Sequence, residues 1–135
     1  MTDLTVRDVM LPTDKIPVGK RTTLLKEALE KMSARRLGIA CIVGDQGELC
    51  GIFTDGDIRR MLLRDQKPFP ALFADDAIQH ANKNPKTVFP DTSLVNAVQM
   101  MEDIEIWDLP VVDENRRLLG LLHLHPAIKA LLKLV

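Results

Sequence analysis

This chain of 135 residues contains the same residue pattern twice, with the second copy 69 positions after the first. The matched residues stand at core-type or turn-type positions, where a duplicated fold resists sequence drift. Chance would supply one or two such matches but hardly seven in the same order, so the sequence predicts a duplicated structural unit. The seven pairs are Thr23 and Thr92, Leu25 and Leu94, Ala28 and Ala97, Met32 and Met101, Val43 and Val112, Leu49 and Leu118, and Gly51 and Gly120.

Each copy contains an amphipathic helix pattern in which apolar residues recur at i, i+3, i+4 and i+7. We expect the first helix to be capped by Thr22 or Thr23, and the second by a residue of the segment 91–93. The apolar stripes consist of Leu25, Ala28, Leu29 and Met32 in the first copy and of Leu94, Ala97, Val98 and Met101 in the second.

A β-hairpin pattern and a second helix follow each of these helices. A short extended piece precedes each first helix, at residues 16–18 and 87–89. The predicted hairpin strands are residues 39–43 and 49–53 in the first copy and 109–112 and 118–122 in the second. The predicted second helices run from Ile58 to about Arg64 and from Ala127 to about Leu134.

The predicted fold class is α/β: a tandem pair of β-α-β-β-α repeats related by a pseudo-twofold. The boundaries are 5–65 for the first repeat, 66–76 for the connection and 77–135 for the second repeat. One repeat of ~60 residues has difficulty stabilising itself, so we expect the two halves to pack sheet to sheet. Two independent domains on a flexible tether are the alternative, but that arrangement needs a Gly/Ser linker, which the connection is not.

The composition argues against several classes of partner. The chain has 18 basic and 19 acidic residues, with a formal charge of −1, whereas nucleic-acid grooves and anionic membrane surfaces attract a basic excess. Four Phe, one Trp and no Tyr leave few rings for stacking bases. No run approaches the ~18 apolar residues of a membrane span. We therefore expect neither a nucleic-acid nor a membrane partner.

The cysteines and the first residues indicate a cytoplasmic protein. Cys41 and Cys50 fit a reducing compartment, and in the predicted hairpin they are diagonal neighbours. Diagonal neighbours are ~7–8 Å apart, too far for an unstrained disulfide, so both are expected to be free. Residues 1–5 lack a basic stretch followed by an apolar run, so we expect no signal peptide.

Residues 51–60 carry the most specific local pattern, because they run from a buried strand into a helix with Thr54 and Asp57 at capping-box spacing. The first turn of such a helix has unpaired N–H groups and partial positive charge, which suit a phosphate. Asp57 has two acceptor oxygens that can hold a ribose diol. The alternative is a capping box that binds no ligand.

The motif Gly51-x-x-Thr54-x-x-Asp57 resembles the nucleotide-contact motif of cystathionine-β-synthase-type (CBS) domains, which occur as tandem pairs of this repeat. The element that precedes it in the family, hydrophobic-x-hydrophobic-Pro, is present in the second copy as residues 107–110. A narrower resemblance, in residues 51–60 and 123–125, is to the CBS pair of arabinose 5-phosphate isomerases of Kdo and lipopolysaccharide biosynthesis. In those enzymes an upstream sugar-isomerase domain performs the chemistry, and the pair is regarded as regulatory.

The resemblance implies a set of ligand-binding residues in the first copy. Thr54 would bind a phosphate or ribose oxygen, and Asp57 the ribose hydroxyls. Ile16, Pro17 and Ile39 would line the apolar side of the same cleft.

Two further groups of side chains are candidates for ligand contact. Arg59 or Arg60, at the start of the following helix, can reach a phosphate, although a solvated face is the alternative. In the second copy His123 stands where Thr54 stands and Pro126 where Asp57 stands. Proline has no acceptor side chain, so we expect at most one adenosine-type site, or a different ligand that bridges the cleft. His123 remains a candidate ligand contact.

The remaining motifs allow structural interpretations. His123 and His125 have no third metal ligand nearby, so we expect no metal. Trp107 is interpreted as a core or dimer-interface residue, with ligand stacking as the alternative. His80 is interpreted as a lone surface residue.

We therefore predict a regulatory module without catalytic residues, belonging to an arabinose 5-phosphate isomerase and forming a homodimer. No cofactor is required, and the expected effector is an adenine nucleotide or CMP-Kdo, the end product of the Kdo pathway. The alternative is an oligomerisation scaffold with no ligand. The length and the missing catalytic set argue against a third interpretation, a self-contained isomerase.

Overall fold

The computed structural model describes residues 3–133 and is a mixed α/β structure. Two short 3₁₀-helices, Thr13–Lys15 and Ala77–His80, complete its regular structure. The α-helices are α1 (Val6–Val9), α2 (Leu25–Arg35), α3 (Asp55–Arg64), α4 (Phe69–Phe73), α5 (Leu94–Asp103) and α6 (Leu124–Leu132). The β-strands are β1 (Leu11–Pro12), β2 (Val18–Lys20), β3 (Ile39–Val43), β4 (Leu49–Thr54), β5 (Asp108–Val112) and β6 (Leu118–His123).

These elements form two compact units. The first unit comprises residues 14–85, and the second comprises residues 3–13 together with 86–133. The predicted repeats and the compact units divide the chain differently at residues 5–13 and 77–85. Helix α1 and strand β1 lie within the predicted first repeat (5–65) but belong to the second unit.

The first unit is built on a three-stranded sheet in the order β2-β3-β4. Strand β2 runs parallel to β3, and β3 pairs antiparallel with β4, as the predicted hairpin requires. Beyond β4, Asn82 forms an antiparallel bridge with Ile52. The core on the helix side of the sheet consists of Leu25, Ala28, Met32, Ala40, Ile42, Phe53, Met61, Leu72 and Ala77.

The second unit has a sheet in the order β1-β6-β5, with antiparallel pairs. Val88 adds a parallel bridge to Val111, at the position that β2 occupies in the first unit. The edge beyond β6 is completed by β1, as Asn82 completes the edge beyond β4. The core consists of Val6, Val88, Leu94, Ala97, Met101, Leu109, Val111, Leu122 and Ala127.

The predicted helices and hairpin strands are confirmed with shifts of one to three residues at most of their ends, and the second cap is confirmed as well. The predicted extended piece 87–89 contributes only the bridge at Val88, and the predicted helix end near Leu134 lies outside the described residues. Ser93 accepts a hydrogen bond from the Asn96 amide at the start of α5. The first cap is wrong: α2 begins after Leu24, whose amide donates to the Glu27 carboxylate at 3.0 Å. Thr23 does not cap the helix because its Oγ1 accepts from the Lys20 amide at 2.8 Å.

Cys41 and Cys50 form no disulfide bond with each other, as the hairpin register predicted. Cys41 is buried, and Cys50 lies at a register shift in which Gly51 pairs with Ile42 but Leu49 pairs with Val43. None of the described helices has both the length and the apolar character that crossing a membrane requires.

Candidate functional site

The strand-to-helix corner of the first unit lies where β4 ends and α3 begins. Strand pairing places Thr54 opposite Ile39, the first residue of β3. The Pro17 carbonyl accepts a hydrogen bond from the Cys41 amide at 2.9 Å, and the parallel register continued toward the N-terminus brings Ile16 level with Ile39. The fold therefore brings four of the predicted residues to one end of one sheet.

The apolar residues of this corner are closed off from solvent. Ile39 is 0% exposed and Ile16 is 4% exposed, and Pro17 is buried as well. These residues hold the end of β4 in place, and a ligand that touches them has to displace the side chains that cover them.

Thr54 and Asp57 form the predicted capping box at the start of α3. The Asp57 Oδ2 atom accepts from the Thr54 amide at 2.9 Å and from the Thr54 hydroxyl at 3.0 Å. In return, the Thr54 Oγ1 atom accepts from the Asp57 amide at 3.3 Å. These contacts satisfy helix-end amides and fix the Asp57 carboxylate at the end of the strand.

The second carboxylate oxygen of Asp57 faces an arginine. Arg60 Nη2 donates to Asp57 Oδ1 at 2.8 Å, with side-chain exposures of 59% for Arg60 and 15% for Asp57. Arg59, one residue earlier on α3, is exposed. Of the two arginines at the start of this helix, the one that contacts Asp57 is Arg60.

The corner thus combines a fixed carboxylate, an exposed guanidinium and the positive end of a ten-residue helix. A carboxylate accepts from hydroxyl groups, whereas the guanidinium and the helix end attract an anion. The chemistry of the corner suits a ligand with hydroxyl groups next to a phosphate or carboxylate.

The corresponding corner of the second unit has the same backbone but different side chains. Strand pairing sets His123 opposite Asp108, and His123 Nδ1 lies 2.7 Å from Asp108 Oδ1. The Leu124 amide donates to the Trp107 carbonyl at 2.8 Å, as the Asp55 amide donates to the Gly38 carbonyl at 3.1 Å in the first unit.

Pro126 lies in the first turn of α6, where the equivalent residue of α3 is Asp57. The second corner therefore has no carboxylate at this position, and His123 is held by a neighbouring strand residue instead. The Trp107 side chain is 69% exposed, so its interpretation as a core residue is wrong. Among residues 3–133, no group of three or more metal-ligating side chains is placed to hold an ion.

A cluster around His80 was missed by inspection of the sequence. The His80 side chain is 7% exposed, so its interpretation as a surface residue is wrong. His80 Nε2 lies 3.0 Å from Asp75 Oδ2, and Nδ1 lies 3.7 Å from Asp65 Oδ2 without a hydrogen bond. Lys67 Nζ donates to both oxygens of Asp75. The only indication of this cluster in the sequence is that acidic and basic residues alternate between residues 64 and 80.

The charges of this cluster shift two acidic groups. Hydrogen bonds from Lys67 and His80 lower the pKa of Asp75 below its usual value. A hydrogen bond from Arg64 lowers the pKa of Asp65. The cluster joins the end of α3 to the segment that follows α4 and therefore has a structural role at the opposite end of α3 from the corner.

A separate cavity of about 290 Å³ lies at the hairpin turn, at the other end of the sheet from Thr54. It is lined by Arg21, Asp45, Gln46 and Glu48. Arg21 also donates to the Cys50 sulfur from Nε at 3.3 Å and from Nη2 at 3.2 Å. The lining side chains are charged or polar and include none of the residues predicted to bind the nucleotide, so this cavity is not the site predicted from the sequence.

A model of the CBS domain matches residues 6–64 and 74–133 of this chain. An uncharacterized protein of Helicobacter pylori (strain J99) is 36% identical over 126 residues, which are 92% of this chain and 36% of that protein. Arabinose 5-phosphate isomerase KdsD of Pseudomonas aeruginosa is 35% identical over 94% of this chain and 38% of the enzyme. The corresponding KdsD of Francisella tularensis is 33% identical over 93% of this chain and 37% of the enzyme. The chain spans less than two-fifths of these curated relatives.

Solved structures resemble the whole chain. The crystal structure of CBSX2 in complex with AMP superposes with a TM-score of 0.83 at 25% identity, covering 96% of this chain and 97% of that one. CBSX2 from Arabidopsis thaliana gives a TM-score of 0.82, also at 25% identity, over 98% and 97% of the two chains. These similarities, together with the two equivalent strand-to-helix corners, indicate that the chain has the same fold as these solved structures.

Proposed function

This chain belongs to the CBS-domain family, and from that premise we propose that it binds an adenine nucleotide at the corner formed by Thr54 and Asp57 and passes the binding event to an attached enzyme. The observation that carries the proposal is the Asp57 carboxylate, fixed by two hydrogen bonds from Thr54 at the start of α3. The AMP complex of CBSX2, which resembles 96% of this chain, supports an adenine nucleotide as ligand.

Of the two equivalent strand-to-helix corners, the one at the start of α3 has this arrangement and the one at the start of α6 does not. Asp57 gives the first corner a carboxylate that accepts from ribose hydroxyls, whereas Pro126 gives the second corner none. His123 is already paired with Asp108 at 2.7 Å. We therefore propose one adenosine-type site per chain, with Ile16, Pro17 and Ile39 supporting it from within the sheet.

The attached enzyme is proposed to be an arabinose 5-phosphate isomerase. Enzymes of this name match more than nine-tenths of the chain, while the chain covers 37% or 38% of each of them. The isomerase reaction then belongs to the remainder of such a protein. A nucleotide regulates it only if its affinity differs between two states of the whole protein.

Calorimetric titration and thermal unfolding with AMP, ATP, S-adenosylmethionine and CMP-Kdo test the proposal. A ligand at ~100-fold its dissociation constant stabilises the folded state by about 2.7 kcal/mol. We expect this with an adenine nucleotide and its loss in Asp57→Ala. If no nucleotide shifts the unfolding temperature, the proposed function is wrong, and if only CMP-Kdo does, the ligand class is a nucleotide-sugar.

Asp8→Ala is the matched control for Asp57→Ala. Asp8 closes a capping box with Thr5 at the start of α1, where the Thr5 amide donates to Asp8 Oδ2 at 2.9 Å. This variant also loses a helix cap, but it lies in the other unit. A similar loss of nucleotide binding in both variants would show that Asp57 acts through stability alone.

A scaffold without ligand is the second candidate, favoured by apolar side chains that remain exposed on the second unit. These lie on or next to α5 and α6 and are Val95, Met100, Ile104, Ile128 and Leu132. Exposed apolar groups on neighbouring helices are typical of surfaces that pair with another protein. Sedimentation of the wild type and of Leu132→Lys, with and without AMP, distinguishes a dimer that ignores nucleotide from one that responds to it.

A further inference from the structure

The two carboxylate oxygens of Asp57 have different partners. Oδ2 is held by the amide and the hydroxyl of Thr54, both within the strand-to-helix corner. Oδ1 accepts from Arg60 Nη2 at 2.8 Å. A ligand hydroxyl that binds Asp57 without opening the capping box therefore has to use Oδ1, the oxygen that Arg60 occupies.

The guanidinium of Arg60 lies against Gly56, in the first turn of α3. A Cβ atom placed on Gly56 would be 3.1 Å from Arg60 Nη2 and 3.2 Å from Nη1. The missing side chain of Gly56 thus leaves room for the guanidinium beside the helix end. Because the Arg60 side chain is 59% exposed, the pair with Asp57 is weak enough to open when a ligand arrives.

We infer that Arg60 determines specificity at this site by exchanging Asp57 for the phosphate of a nucleotide. This inference rests on the proposed function. A ribose hydroxyl takes over Asp57 Oδ1, and the released guanidinium binds the phosphate of the same ligand with two parallel N–H donors. The site then selects a nucleoside phosphate over the nucleoside.

The preference for AMP over adenosine depends on whether the ligand leaves the Arg60 guanidinium without an anionic partner. Adenosine replaces Arg60 at Asp57 but offers the guanidinium no anion, so one ion pair is lost. AMP replaces the same contact and supplies a new anion next to the helix end, where the dipole adds to the attraction. Charge-assisted hydrogen bonds of this kind correspond to about tenfold in affinity, or ~1.4 kcal/mol.

Arg59 provides a matched control on the same helix. It has the same charge and length, it is exposed, and it stands two positions after Asp57 rather than three. Residues three apart on a helix are neighbours, whereas residues two apart do not face each other. Replacing Arg59 removes the same net charge from the surface without removing the contact to Asp57.

The experiment is calorimetric titration of the full chain with AMP and with adenosine, at one salt concentration, for the wild type, Arg60→Met and Arg59→Met. We expect the wild type to bind AMP about tenfold tighter than adenosine. Arg60→Met is expected to bind AMP more weakly and adenosine more tightly, which reduces the ratio to about twofold, and Arg59→Met is expected to keep the wild-type ratio. Arg60→Lys, which keeps the charge but not the fork, is expected to give an intermediate ratio.

The outcomes separate this inference from the proposed function. If the wild type binds neither ligand, the proposed function and the inference are both wrong. If AMP and adenosine bind, but Arg60→Met keeps the wild-type ratio or Arg59→Met reduces it equally, the inference alone is overturned. Far-ultraviolet circular dichroism shows whether each variant keeps the helix content of the wild type. If Arg60→Met does not fold, the AMP-to-adenosine affinity ratio of Arg60→Lys tests the inference instead.

Discussion

Arg116 adopts the left-handed backbone conformation that Gly47 adopts 69 positions earlier, with φ of 62° and 80°, respectively. Each closes a hairpin turn, because the Gly47 amide donates to the Gly44 carbonyl and the Arg116 amide donates to the Asp113 carbonyl. The conformation is accessible to glycine but costs other residues about 1–2 kcal/mol. The second turn therefore carries backbone strain that the first avoids.

We expect Arg116→Gly to stabilise the protein by about 0.5–1 kcal/mol, since relief of the left-handed strain exceeds the entropy that glycine loses on folding. The Arg116 side chain is exposed, so little packing is lost. Urea unfolding at neutral pH measures the change.

Gly47→Ala is the reverse experiment in the other unit. A Cβ at Gly47 has no atom within 4 Å, so the substitution introduces strain without a steric clash. We expect destabilisation of about 1 kcal/mol. An unchanged stability for both substitutions would contradict the strain assigned to these turns.

Removing His80 is expected to destabilise the first unit. The His80 side chain is 7% exposed and its Nε2 contacts Asp75, so His80→Ala leaves a cavity and removes a hydrogen bond, at a cost of about 2 kcal/mol. His80→Gln keeps a donor near the position of Nε2 and removes the unpaired Nδ1, so its cost is expected to be below about 1 kcal/mol. Equal urea midpoints for wild type and His80→Ala would show that the cluster has no structural role.

Acid is expected to weaken the same cluster through Asp75. Lys67 and then His80 lower the pKa of Asp75 in the folded protein, so its carboxylate stabilises the fold at pH values above the unfolded pKa of ~3.9. That stabilisation is lost as the pH falls through the lower, folded pKa. Asp75→Asn should therefore be less stable than wild type at pH 7, and the difference should shrink below pH ~4.

Urea unfolding at a series of pH values measures this difference. Asp3→Asn, which changes an exposed acid, is the control for a general loss of negative charge. If the gap between wild type and Asp75→Asn stays constant down to pH ~3, the carboxylate of Asp75 is not the group responsible.

Local rules predicted much of the fold from the sequence. The duplicated stripes and hairpins fixed α2, α5 and the strands β3 to β6, because apolar periodicity and turn residues act over short distances. The capping box of Thr54 and Asp57 was also predictable, since its spacing alone defines the contacts.

Contacts between distant segments were not predictable in the same way. His80 is buried by residues up to fifteen positions away, and nothing in its immediate neighbours indicates this. The same applies to Leu11, which pairs with Leu121, so that a segment near the start of the chain completes the second sheet. At the corner, the choice between Arg59 and Arg60 depends on where the helix begins: α3 starts at Asp55 rather than at the predicted Ile58, so Asp57 is helical and Arg60 faces it three positions later.

The unequal corners lead to a prediction about stoichiometry. Asp57 supplies an acceptor in the first unit, while Pro126 supplies none in the second, so we expect one adenine nucleotide per chain. Asp57→Asn should abolish the single binding event, whereas Pro126→Ala should leave both the affinity and the stoichiometry unchanged. Calorimetric titration with AMP gives both quantities. Two sites per chain would show that His123 and Asp108 form a site of their own. Binding that survives in Asp57→Asn would show that the carboxylate does not hold the ribose.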